Sequence, residues 1–129
     1  MKQKILILED DIDFRDIVAE FLSESGIDAL GAETIKEAIG IYNKYGSDIN
    51  LFILDLWLPY GNGMDFLKAL RKNGNTAPVI IMSGIITEDV KRVGCQLGVI
   101  AYLKKPFELE ELERVVSKAL TSSPSMRRG

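Results

Sequence analysis

The sequence predicts an α/β fold, a (βα)5 doubly wound five-stranded parallel sheet, and two observations carry that expectation. Short, continuously apolar runs of strand length recur along the 129 residues, and each is followed by a segment with apolar residues at helical spacing. The runs lack the apolar–polar alternation of a half-exposed strand. Both faces of the sheet are therefore expected to be covered, as in parallel sheets built from helical crossovers.

Ile5-Leu6-Ile7-Leu8 is the first strand. Phe14, Ile17, Val18, Phe21 and Leu22 then share one helix face, and Gly26 ends that helix. Residues 27–31 form a weaker second strand. Thr34-Ile35-Lys36-Glu37 reads as a capping box, and Ile35, Ala38, Ile39 and Tyr42 give the second helix its apolar face. Leu51-Phe52-Ile53-Leu54 is the third strand, followed by a loop holding Pro59, Gly61 and Gly63 and by a short helix marked by Phe66, Leu67 and Leu70. Residues 79–82 are the fourth strand. Val90, Val93 and Leu97 mark the fourth helix, which Gly94 weakens. Residues 99–103 are the fifth strand, and Leu109, Leu112, Val115, Val116 and Ala119 mark the last helix. Right-handed crossovers point to the flavodoxin-like strand order 2-1-3-4-5. Residues 1–121 are read as one domain and 122–129 as a disordered tail or linker remnant.

Composition narrows the function. At 47% hydrophobic and 27% charged residues the chain is ordinary for a globular domain. A net charge of −3 without a basic stripe argues against direct nucleic-acid binding. No stretch is apolar for long enough to span a bilayer, and the single cysteine, Cys95, suits a reducing, cytoplasmic setting and reads as inert filler beside a helix. The chain has no histidine. That removes Ser-His nucleophiles and His zinc ligands, and any phosphohistidine chemistry must come from another protein.

In open parallel sheets, ligands bind beyond the carboxyl ends of the strands, where the strand order reverses. The first strand ends in Glu9-Asp10-Asp11, the third in Asp55, the fourth in Ser83 and the fifth in Lys104-Lys105-Pro106. Acids from two adjacent strands would meet in one cleft, where each raises the others' pKa unless a cation neutralises them. A donor set of carboxylate oxygens without sulfur or imidazole suits Mg²⁺, which keeps several waters and bridges to phosphate.

These strand ends resemble those of response-regulator receiver domains, over about residues 3–120. Glu9-Asp10 is similar to the family's acidic pair. The stretch from Asp55 through Pro59 to Gly63 resembles its phosphoacceptor loop. Met82-Ser83-Gly84 resembles its Ser/Thr switch strand, and Tyr102 through Lys105-Pro106 its aromatic switch residue, active-site lysine and following proline. The resemblance implies a phosphorylation-dependent signalling switch rather than an enzyme acting on a separate substrate. Asp55 would be the phosphoacceptor. Asp10, Asp55 and the Trp57 backbone carbonyl would bind Mg²⁺, with Glu9 acting through a coordinated water. Lys105 and Ser83 would hold phosphoryl oxygens, and the Lys105–Pro106 peptide would be cis. Tyr102 would rotate when Ser83 moves, changing the surface of the fourth helix, fifth strand and fifth helix. The implied partners are a sensor histidine kinase or phosphotransfer protein and a downstream effector or output domain, with a phosphorylation-dependent dimer as one form of the switched state.

Taken singly, each residue has a plainer role. The acids can cap a helix, and Asp11 is assigned mainly to that role. Asp55 can form a turn, Lys105 can be a solvated loop residue, Ser83 a cap and Tyr102 a packing residue. Their joint placement at strand ends favours the site. Two rival functions are a Mg²⁺-dependent aspartyl-phosphate phosphohydrolase and a binding module independent of phosphorylation. The first generally needs an acid two residues after the nucleophile, and here that residue is Trp57. The intact acceptor, serine and lysine argue against the second. Trp57 and Ile85 are apolar departures from the family pattern. They are expected to shield a phosphoryl group from water and slow its loss. Ile100 and Ala101 stand where winged-helix regulators often carry an acidic pair.

Overall fold

The computed structural model describes residues 2–121, so the expected tail at 122–129 lies outside the described residues. The chain runs β1 (Lys4–Leu8), α1 (Ile12–Glu24), β2 (Asp28–Ala32), α2 (Ile35–Tyr45), a single 3₁₀ turn (Gly46–Asp48) and β3 (Ile49–Leu54). A small antiparallel ribbon follows, β4 (Trp57–Leu58) and β5 (Gly61–Asn62). Then come α3 (Gly63–Lys72), β6 (Val79–Ser83), α4 (Glu88–Gln96), β7 (Val99–Lys104) and α5 (Leu109–Thr121). The five long strands are all parallel, in the order β2-β1-β3-β6-β7. Without the ribbon in the count, this is the expected 2-1-3-4-5. The ribbon itself escaped the sequence reading, because strands of two residues carry no periodicity.

The continuous apolar runs are explained by two separate cores. Successive residues of a strand point to opposite faces. Leu6, Leu8, Phe52, Leu54, Val79 and Ile81 therefore pack with α2, α3 and α4 on one face. Ile5, Ile7, Leu51, Ile53, Ile80 and Met82 pack with α1 and α5 on the other. Two assignments of helix faces are corrected. Ile17 is 53% exposed and Ile39 44% exposed. In α1 the packed stripe runs through Phe14, Val18, Phe21 and Leu22, so Ile17 lies past its edge. In α2 it runs through Ala38, Ile41, Tyr42 and Tyr45, which rotates Ile39 outward.

Side chains close the starts of α1, α2, α3 and α4. Asp11 Oδ1 accepts the Phe14 N–H (3.1 Å), Thr34 Oγ1 that of Glu37 (3.1 Å), Asn62 Oδ1 that of Met64 (2.8 Å) and Thr87 Oγ1 that of Val90 (3.1 Å). These are four of the donors a helix start leaves unpaired. At Thr34 the return arm of the box goes one residue further back, from the Glu33 N–H to Glu37 Oε1 (2.7 Å).

Two contacts tie α4 to its neighbours. At its end, Arg71 of α3 donates through Nε to the Leu97 carbonyl (2.7 Å). Its Nη1 donates to the carbonyls of Asn75 (3.1 Å) and Ala77 (2.8 Å). One guanidinium thus binds the end of α3, the chain entering β6 and the negative end of the α4 dipole. In the last turn of α4, Gly94 lies under the hydroxyl end of Tyr102: a Cβ there would stand 2.1 Å from the Tyr102 Oη. The same hydroxyl donates to the Lys91 carbonyl (3.3 Å).

Candidate phosphoacceptor and metal site

The sheet ladder continues one residue past the strands and sets the site. The Asp55 N–H donates to the Leu8 carbonyl (2.9 Å), the Glu9 N–H to that of Ala32 (2.9 Å) and the Lys105 N–H to that of Ser83 (2.9 Å). Side chains that are far apart in sequence are thereby held side by side at the carboxyl edge. Glu9 (1% exposed), Asp55 (6%) and Ser83 (0%) are buried, and Asp10 is partly so.

Lys105 Nζ donates to Asp55 Oδ2 (2.9 Å) and to Glu9 Oε1. The other oxygen of each carboxylate is held by backbone: Asp55 Oδ1 by the Trp57 N–H (3.3 Å) and Glu9 Oε2 by the Asp11 N–H (3.0 Å). Burial pushes the Glu9 carboxyl above its usual range, and the Asp55 charge adds to this, while Lys105 and the Asp11 N–H oppose it. Burial alone would lower the Lys105 pKa, but its bonds to Glu9 and Asp55 more than offset that, and the pKa is raised. The ammonium also sits over the Phe14 ring, 4.8 Å from its centroid, and Phe107 packs edge-on to Phe14 at 5.6 Å.

The structure brings Glu9, Asp10 and Asp55 together, each offering a carboxylate oxygen within 4.8 Å of the others. Three carboxylates against one ammonium leave an excess of negative charge, and a cluster of hard oxygens suits a divalent cation. Asp11 is turned away to cap α1, in keeping with the role assigned to it. The Lys105–Pro106 peptide is cis.

The Ser83 hydroxyl is engaged with its own loop. It donates to the Ile85 carbonyl (3.1 Å) and accepts the Ile85 N–H (3.2 Å). That carbonyl also accepts the indole Nε1–H of Trp57 (3.0 Å). Tyr102 is directed at α4 rather than at Ser83. Cys95 is exposed on α4 and packs no core. Sequence reading missed two participants: Phe14, counted only as core, and the Trp57 indole donor. The spacing of α1 offered a signal for the first. Nothing local in the sequence reveals the second, which depends on how separate loops meet.

Comparison with known proteins agrees with this geometry. The family model "Response regulator receiver domain" matches residues 5–117. The transcriptional regulatory protein CiaR of Streptococcus pneumoniae is 39% identical over 120 residues, 93% of this chain and 52% of CiaR. CpxR of Escherichia coli, also a transcriptional regulatory protein, is 35% identical over 109 residues, 84% of this chain and 45% of CpxR. The chain thus spans about half the length of such relatives. Among solved structures, the non-phosphorylated HemR receiver domain from Leptospira biflexa superposes with a TM-score of 0.88 at 28% identity, covering 95% of this chain and 97% of that one. A two-component response regulator from Clostridium difficile gives 0.83 at 31% identity, covering 94% and 98%. Five parallel strands in this order, acids at the ends of two of them and a lysine bridging the acids have a common explanation: the chain belongs to the response regulator receiver domain family.

Proposed function

We propose that this domain is a phosphorylation-dependent switch in which Asp55 is the phosphoacceptor. The observation that carries the reading is the meeting of Glu9, Asp10 and Asp55 within 4.8 Å, with Lys105 already on Asp55 Oδ2. An Asp55 carboxylate oxygen attacks the phosphorus of a donor phosphohistidine on a sensor kinase or phosphotransfer protein. The new oxygen–phosphorus bond forms as the nitrogen–phosphorus bond breaks, and the histidine leaves with the electron pair. Such transfer needs alignment and charge neutralisation more than covalent assistance. Lys105 neutralises one phosphoryl oxygen, and the Ser83 hydroxyl turns from Ile85 to donate to another. Asp10, Asp55 and the Trp57 carbonyl are the residues that would hold Mg²⁺, with Glu9 behind a water. The ion would neutralise charge on the transferring group.

Tyr102 then moves from its seat on α4 into the room that Ser83 vacates. The faces of α4, β7 and α5 change their affinity for an effector, a shift in a population the free protein already samples. The names of the relatives support a transcriptional output, and the fold family supports a cytoplasmic setting. The net charge of −3 supports control through an effector or output domain rather than direct nucleic-acid contact.

Incubation with acetyl phosphate and Mg²⁺ should raise the intact mass by one phosphate, and chelation or Asp55→Asn should abolish the gain. Equal uptake by Asp55→Asn would sink the reading. Mg²⁺ alone should raise the melting temperature of the wild-type protein. Asp10→Asn should stabilise the Mg²⁺-free protein by about 1 kcal/mol, by removing one of the repelling charges, and should lose most of the Mg²⁺ effect. An undiminished Mg²⁺ shift in Asp10→Asn would place the ion elsewhere.

A further inference from the structure

Trp57 is anchored at both ends. Its backbone N–H holds Asp55 Oδ1 (3.3 Å), and its indole Nε1–H holds the Ile85 carbonyl (3.0 Å), two residues past Ser83. The side chain therefore runs from the acceptor rim to the rim carrying the switch serine. Resting on the function proposed above, we infer that Trp57 is a positioning residue: its indole N–H latches the loop between β6 and α4 across the phosphoryl pocket and so sets how fast small donors enter and water reaches the phosphoryl group.

Three observations support a latch rather than mere apolar cover. Trp57 is 48% exposed and Ile85 58% exposed, so burial alone does not hold either side chain in place. The bond crosses between separate loops, 28 residues apart in sequence. The Ile85 carbonyl has two donors, Trp57 and Ser83. When the Ser83 hydroxyl turns to a phosphoryl oxygen, the carbonyl keeps its indole partner. The loop is then still tied down in the phosphorylated state, the state in which access of water matters.

A net hydrogen bond of ordinary strength corresponds to a factor of about two to ten in the closed population. Because the chain has a single tryptophan, the bond can be removed without changing the ring's shape. Growth of a tryptophan auxotroph on β-(benzothienyl)alanine replaces the indole N–H by sulfur in the full chain. The replaced protein and Trp57→Phe should both lose the acyl phosphate about two- to tenfold faster than wild type. Both should also be phosphorylated faster by acetyl phosphate, by a similar factor. In the unphosphorylated protein, the amides of Gly84, Ile85 and Ile86 should exchange faster with solvent. A benzothienyl protein that retains the wild-type lifetime and the wild-type loop exchange would overturn the latch and leave only steric cover. The exchange measurement needs no phosphoryl group, so it decides the latch even if wild type takes up no phosphate, a result that would instead refute the proposed function.

Discussion

Replacing Gly63 by alanine is expected to destabilise the protein by about 3 kcal/mol and to impair phosphate uptake at Asp55. A Cβ at this position would lie 2.1 Å from the Asp55 carbonyl oxygen, 3.0 Å from its carbon and 3.2 Å from the Leu56 Cα. All three are backbone atoms, so no flexible side chain can yield. The Gly63 N–H meanwhile donates to the Leu56 carbonyl (2.9 Å), which fixes the start of α3 against the end of β3. Relief requires moving α3 away or displacing Asp55, the proposed phosphoacceptor. Gly61→Ala is the control. Its Cβ would meet the far end of Ile35, Cδ1 at 2.6 Å, which can rotate away. Urea unfolding of the two variants should separate them by at least 2 kcal/mol, and equal midpoints would show that the α3 start is more plastic than this packing implies.

Lys105→Met should lower the stability of the Mg²⁺-free protein by about 3 kcal/mol at neutral pH, because it leaves Glu9 and Asp55 buried without their shared cation. Mg²⁺ should restore much of the loss, while phosphate uptake should stay roughly a hundredfold slower even in saturating Mg²⁺. The pH dependence has a defined sign. The folded-state pKa of Lys105 is raised, so its contribution is complete below the unfolded value of about 10.4 and is lost as pH climbs through the folded one. Wild type should therefore lose stability in that alkaline window, and Lys105→Met should lose less, retaining the part due to Tyr102, whose pKa burial also raises. Glu9 adds a loss of the same sign in the acid range. Its carboxyl is also raised, so its ionisation penalises the folded state as pH rises above about 4.3. Thermal melts across pH in the absence of Mg²⁺ test both windows, and an alkaline limb unchanged in Lys105→Met would refute the first.

The parts of this molecule legible in the sequence are those with a local cause. The apolar runs of the central strands β1, β3 and β6 are continuous because both their faces are covered, and the strand order follows from the handedness of crossovers. Glu9, Asp55, Ser83 and Lys105 could be located because a parallel sheet places all strand ends on one edge. Exposure of Ile17 and Ile39 was not legible, since a stripe of apolar residues leaves the helix rotation uncertain by one position. Phe14 beneath Lys105, the indole on Ile85 and Arg71 on Leu97 each join segments from different parts of the chain. Their partners are decided by tertiary packing, and no periodicity or spacing encodes them.

Gly94 gives α4 a particular mechanical character. A glycine inside a helix costs about 1 kcal/mol relative to alanine, and this helix has only nine residues to absorb it. The missing methyl is the room in which the Tyr102 hydroxyl rests. Helical firmness and the tyrosine's place are therefore exclusive claims on one small volume, and α4 is kept soft so that the ring can lie on it. Its amides should be among the first of the helical ones to open to solvent. Filling that volume, as Gly94→Ala does, would firm the helix and evict the ring in the same stroke.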